Sequence, residues 1–178
     1  KRVPVTFFPL DEKVSYDFIL KNTNIPAQLM EIMIELAVQI GFQGYEGINI
    51  GTIFVIGDTE NVLNKSKQIV LNPFYGYKEE ERNIYNPEFR QTIRAFTMLD
   101  GAFIVREDGV VITAGRYLET TDSGIQVPLG LGSRHSAAAS ITKETKSIAI
   151  VVSETSGAVR IFKDGQMHLE IQSKNRVI

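Results

Sequence analysis

Cysteine is absent from this 178-residue sequence, which excludes a disulfide framework, a thiolate metal site and a cysteine nucleophile, and leans towards a cytoplasmic setting. No apolar run is long enough to cross a bilayer, and no basic-then-apolar leader opens the chain, so no membrane contact is expected within it. Nor is charge of one sign in excess. Nineteen Lys and Arg stand against 21 Asp and Glu, for a formal charge of −2, which argues against a sequence-independent binder of a nucleic acid polymer. The histidines and carboxylates follow no zinc spacing, and neither a Walker phosphate loop nor a Rossmann glycine fingerprint is present. The commonest nucleotide enzymes are thereby removed. The chain starts at Lys1 without a methionine, as a fragment of a longer protein would.

What is present is enough apolar sequence, 43%, for one domain with a sizeable core. Residues 1–25 mix a short strand-like piece with polar spacing, as an arm or the end of a linker does. Pro26 opens a helix, with Asn24 as its cap and Leu29, Ile32, Met33, Leu36, Ala37 and Ile40 at helical spacing. Thr52–Ile56 reads as a strand covered on both faces, 72–86 as a surface loop, and Asn86–Pro87 as the start of a second helix running towards Leu99. A hairpin follows, pairing Ala102–Val105 with Val110–Ala114 around Glu107, Asp108 and Gly109. A helix is expected over Ser136–Thr142, then strands over Ser147–Val152, Ala158–Phe162 and Met167–Ile171. Strands alternate with helices first and form hairpins later, so the expected class is α/β with a mixed sheet.

Four places carry polar residues that local structure does not demand. Asp100 either ends the helix before it or faces a ligand. In "GLGSRHSAAAS" (130–140), glycines precede Ser133, Arg134 and His135 at a helix start, where free N–H groups and the helix dipole favour an anion. The plainer alternative makes Ser133 an N-cap, with Arg134 and His135 in solvent. "SETSG" (153–157) is either a simple hairpin loop or a hydroxyl and a carboxylate beside a phosphate or its metal. Tyr117 is either core or a flat face on which a base stacks.

The ordered set "LDGAFIVREDGVVITAGRYL" (99–118), "LGSRHSAAASI" (131–141) and "IVVSETSG" (150–157) resembles the diadenylate cyclase (DAC) family, in style its archaeal members. The upstream "EGINIGTIFVIGD" and "NPFYGYKEEERNIYNPEFRQTI" extend the resemblance over roughly residues 27–165. It implies a single globular domain over 26–172, a central twisted mixed β-sheet flanked by helices, with an N-terminal arm over 1–25 and a C-terminal tail over 173–178. It implies condensation of two ATP into cyclic di-AMP and two pyrophosphates with a divalent cation, Mn2+ or Mg2+. Each 3′-hydroxyl attacks the other nucleotide's α-phosphate across a face-to-face homodimer, which can stand alone or within a larger homo-oligomer.

Carried over by motif, Asp100 would position and deprotonate the 3′-hydroxyl and bind the metal, and Gly101 and Ala102 would let the nucleotide approach the backbone. Tyr117 would stack on adenine and Leu118 contact it through its backbone. Ser133, Arg134 and His135 would hold phosphates, with Gly132 leaving the loop open, and Ser153 and Glu154 would lie near phosphates and metal. Glu154 is the second implied metal ligand. Leu99, Ser136 and Thr155 stand where the family often has a histidine, an arginine and a glutamate. They keep alive an alternative, a degenerate sensor that binds ATP or cyclic di-AMP without turnover. A structural or interaction domain is the third.

Overall fold

A computed structural model of the chain describes residues 3–8, 15–119, 121, 125, 127–128 and 130–173. Its first half comprises strand β1 (Val5–Phe8), helix α1 (Asp17–Leu20), helix α2 (Ala27–Gln43), strand β2 (Thr52–Ile56), helix α3 (Thr59–Asn64) and strand β3 (Ser66–Gln68). A 3-10 turn at Glu79–Arg82 follows, then helix α4 (Pro87–Phe96), strands β4 (Ala102–Val105) and β5 (Val111–Leu118), helix α5 (Ser133–Glu144), and strands β6 (Ile148–Val152), β7 (Val159–Lys163) and β8 (Gln166–Ser173). Among the described residues, no helix is long and apolar enough to cross a membrane.

All the strands join one mixed sheet in the order β1-β8-β7-β6-β2-β4-β5-β3. β2 lies inside it, parallel to β4 and antiparallel to β6. Its five residues are all buried, because alternate side chains serve opposite layers. Phe54 and Ile56 pack with Met30, Met33 and Ala37 of α2, while Ile53 and Val55 pack with Ala138, Ala139 and Ile141 of α5. Each fully buried Phe, Ile, Val or Met among them contributes about 1.5–3 kcal/mol, so the helices on the two faces help to hold the sheet. The alanines of α5 let that helix lie close, which brings its N-terminus against the end of the sheet.

The expected class and the expected strands are those found, most with bounds shifted by a residue or so; β5 runs on to Leu118, four residues past its expected end at Ala114, and β8 to Ser173. Asn86 caps α4 as its position suggests, accepting from the Glu88 N–H at 3.0 Å. α2 departs from expectation at its start: Pro26 occupies the cap position with no side-chain cap bond, so Asn24 does not serve. α5 begins at Ser133 rather than Ser136, capped by Gly132. The segment expected as an arm is partly built into the fold. β1 pairs parallel with β8, Val5 opposite Glu170, and Tyr16, Ile19 and Ile25 are buried in the main core. The tail expected over 173–178 overlaps β8 at Ser173, and 174–178 lie outside the described residues.

Candidate functional site

Three adjoining cavities open where β2, β4, β6 and the N-terminus of α5 meet. The largest, about 580 Å3, is lined by Asp100, Gly101, Ala102, Tyr117, Leu118 and Arg134, among others. The second, about 460 Å3, takes in Gly132, Ser133, His135, Ser153, Glu154 and Arg160. The third, about 250 Å3, has Gly51, Asp100, Arg134 and Glu154 on its walls. Ser133 lines the first two and Arg134 all three. The cleft is therefore one three-lobed space around the Arg134 side chain, and every residue singled out in the sequence lies on it.

Sheet register sets this meeting. Ala102 pairs with Ile53 and Val152 with Thr52, so Asp100 just before β4, Gly51 just before β2 and Ser153 just after β6 share one end of the sheet. Asp100 is exposed, and its Oδ1 accepts from the Gly101 N–H at 2.9 Å. Gly101 has φ +98°, and a Cβ there would stand 2.7 Å from the Arg116 amide nitrogen. The room made by its missing side chain is thus filled by the β5 backbone, whereas the sequence reading gave that room to a nucleotide. Ala102 is buried and belongs to the core layer under α5.

Tyr117 is 54% exposed, with the Lys67 ammonium 5.5 Å from its ring centroid, so it is no core residue. Leu118 is buried. Between the two hairpin strands and the sheet edge runs a tie that the sequence did not disclose. Arg116 donates from Nε to Ser66 Oγ at 3.0 Å and from Nη2 to the Ser66 and Leu63 carbonyls at 2.7 and 2.9 Å, fixing the strand that presents Tyr117.

At the helix start Ser133 is the first helical residue, not the cap, and Gly132 faces open space. Arg134 Nη1 meets Glu154 Oε2 at 3.3 Å, with the two side chains 39% and 59% exposed. An ion pair this open is worth about 0–1 kcal/mol, so an arriving phosphate can part it. Gly51 supports the pair, since a Cβ there would lie 2.6 Å from Arg134 Nη1 and 2.9 Å from Glu154 Cβ.

His135 departs from the plainer sequence reading, which placed it in solvent; it lines the second cavity from a buried position. It is 6% exposed, and its Nε2 sits 3.1 Å from Arg160 Nη1. Burial, and then the Arg160 and Arg134 charges, push its pKa down to about 4 against a smaller opposing effect of Glu170. The imidazole is therefore neutral near pH 7 and brings no second positive charge. Its Nδ1 is buried with no hydrogen-bond partner among the described residues. Arg160 in turn pairs with Glu170, Nε to Oε2 at 2.8 Å, both side chains under 15% exposed. Removing one partner of so buried a pair costs about 3–5 kcal/mol. Arg160 escaped the sequence reading because "AVRIFK" reads as an apolar strand; the one charged residue in its middle was the available signal.

Ser153 is buried and its Oγ lies 3.2 Å from Thr155 Oγ1, while its backbone closes the β6–β7 turn through bonds with Ala158 and Gly157. Ser136 lines the first cavity. Among the described residues, no group of three or more His, Cys, Asp or Glu could hold a metal ion. Asp100 and Glu154 do line the third cavity together. Mg2+ and its kin are commonly held by one or two carboxylates completed by substrate phosphates, so this donor set fits a cation that arrives with a nucleotide.

The chain is similar to known proteins along most of its length. The family model DAC, described as DisA bacterial checkpoint controller nucleotide-binding, matches residues 39–167. A diadenylate cyclase of Methanocaldococcus jannaschii is 44% identical over 146 residues, 82% of this chain and 46% of that protein. A diadenylate cyclase of Haloferax volcanii is 38% identical over 158 residues, 88% of this chain and 56% of that one. The chain thus spans about half the length of these curated relatives. A solved structure of a hypothetical membrane spanning protein from Bacillus cereus superposes with a TM-score of 0.61 at 18% identity, over 86% of this chain and 67% of its own, and shares the fold.

Proposed function

This chain belongs to the DAC nucleotide-binding family, and from that premise we propose that it is a diadenylate cyclase, joining two ATP into cyclic di-AMP with release of two pyrophosphates. The observation that carries the reading is the three-lobed cleft. It sets an exposed carboxylate, Asp100, and an exposed aromatic ring, Tyr117, around the one arginine, Arg134, that reaches every lobe.

The catalytic unit is assigned to residues 26–172, with β1 added along its edge. Adenine stacks on Tyr117 and is read at its edge by the Leu118 backbone. Asp100 orients the 3′-hydroxyl and takes up its proton as O3′ bonds to the α-phosphorus of the nucleotide on the other subunit. The bond from that phosphorus to the bridging oxygen breaks, and pyrophosphate leaves. Ser133 and Arg134 face the charge that builds on the α-phosphate, as fixed donors at a helix start should. Asp100 and Glu154 would hold the divalent cation, Mn2+ or Mg2+. When bound, such an ion neutralises phosphate oxygens and favours an ionised hydroxyl. The second ring closure repeats the first with roles exchanged, so the working unit is a homodimer or a larger assembly built from it. Both ATP and the cation are cytoplasmic solutes, and the reaction is placed there.

The test incubates the purified chain with ATP and Mn2+ or Mg2+ and resolves the products by mass. Cyclic di-AMP and pyrophosphate in a one-to-two ratio are expected. Asp100→Asn should melt as the parent does, still be stabilised by ATP, and form no product. Bound ATP without product under either metal would make the chain a sensor. No ATP-induced stabilisation of the parent would leave an interaction domain.

A further inference from the structure

Arg160 is the buried charge that the reaction above leaves without a task. It stands in the middle of β7, directly opposite Glu170 on β8. Two acceptors hold its guanidinium: Glu170 Oε2 takes the Nε–H at 2.8 Å, and His135 Nε2 lies 3.1 Å from Nη1. Arginine has donors only, so the imidazole must accept at Nε2 and carry its proton on Nδ1. Nη2 has no hydrogen-bond partner among the described residues, and Arg160 lines the second cavity with Ser133, Arg134, Ser153 and Thr155.

We propose that Arg160 is a substrate-binding residue that grips the terminal phosphates of ATP, the part that departs as pyrophosphate, inside this second cavity. The inference rests on the cyclase reading and adds to it. This cavity is walled by hydroxyl side chains and two guanidinium groups and has no exposed ring, while Tyr117 stands on the first cavity. Ser133 and Arg134 line both, so one nucleotide can lay its base in the first and its phosphate tail in the second. Glu170 is already matched by Arg160, which leaves Glu154 as the negative group facing the tail. The first turn of α5 supplies a single arginine because position 136 is serine; β7 supplies the other. A guanidinium matches phosphate geometry with paired donors. One clamped in place by two acceptors loses little freedom on binding.

The test compares AMP, ADP and ATP binding to the parent, Arg160→Gln and Arg160→Lys, with melting of each protein measured alongside. Arg160→Gln should weaken ATP by about tenfold or more, ADP less, and AMP within about twofold, and should raise KM more than it lowers kcat. Arg160→Lys keeps the charge without the fork and should fall between. AMP and ATP weakened by one common factor, or ATP binding at the parental level, overturns the proposal. If Arg160→Gln fails to fold, Arg160→Lys decides alone: a loss graded with phosphate number supports the assignment, and a uniform loss or none sinks it. A parent that makes cyclic di-AMP while the variants lack the graded loss discards Arg160 only; a parent that binds no ATP discards the cyclase reading as well.

Discussion

His135 gives the residue scale its sharpest consequence, because burial and the neighbouring guanidinium groups keep its imidazole neutral. Its imidazole titrates near 6.5 when exposed in the unfolded chain and at about 4 in the fold. Between those values the unfolded state binds the extra proton, so stability rises with pH. The contribution is complete above pH 6.5 and is lost as pH falls towards 4. Arg160 and Arg134 deepen the effect, and Glu170 opposes it. The carboxylates held low by their partners, Glu170 and Glu144 among them, lose their contribution below about 4.5, which leaves the window above to His135. Urea unfolding between about pH 5 and 6.5 should therefore show stability falling on acidification, by at most about 1.4 kcal/mol per pH unit for one proton. In His135→Gln, whose amide oxygen can still accept from Arg160, that slope should flatten. Parallel slopes in the two proteins would mean that the ring is not kept neutral.

At the scale of elements, the sequence disclosed whatever was long or doubly covered. β2 and β6 read as uninterrupted apolar runs because both of their faces are buried, and Asn86–Pro87 announced α4 by local chemistry that needs no tertiary partner. α3, of six residues, and β3, of three, are too short for a period to emerge, and the Arg116 tie that anchors them is a long-range contact. The start of α5 was misplaced by three residues because Ser133, Arg134 and His135 carry no apolar face; the sheet end beneath them supplies the reason for the helix to begin there. Where α2 meets the β6–β7 turn, a Cβ on Gly41 would lie 2.2 Å from the Gly157 carbonyl oxygen. Gly41→Ala must push that turn, which carries Ser153 and Glu154, or shift the helix. Overpacking of this kind costs about 1–3 kcal/mol, and both the melting temperature and turnover should fall. A variant that melts and turns over like the parent would show that the turn gives way freely.

For the whole molecule, the described residues form a three-lobed cleft in each copy, whereas the proposed reaction joins two nucleotides across two copies. Specific activity should accordingly rise with protein concentration until pairing saturates, then level off. The check is the initial rate per mole of chain over several decades of dilution, beside the mass measured by light scattering. Constant activity down to concentrations where only monomer scatters would exclude the two-copy mechanism. Within each copy, β2 acts as a caliper. Asp100 precedes the strand on one side of it and Glu154 follows the strand on the other, and those two strands run two strand spacings apart, about 10 Å. Hydrogen-bonded ladders fix the gap between those strands, and the two carboxylates must reach across it to share a ligand. Under the proposed function a cation with its phosphates would span that gap, and the nucleotide's own charged tail would become the missing wall of the pocket.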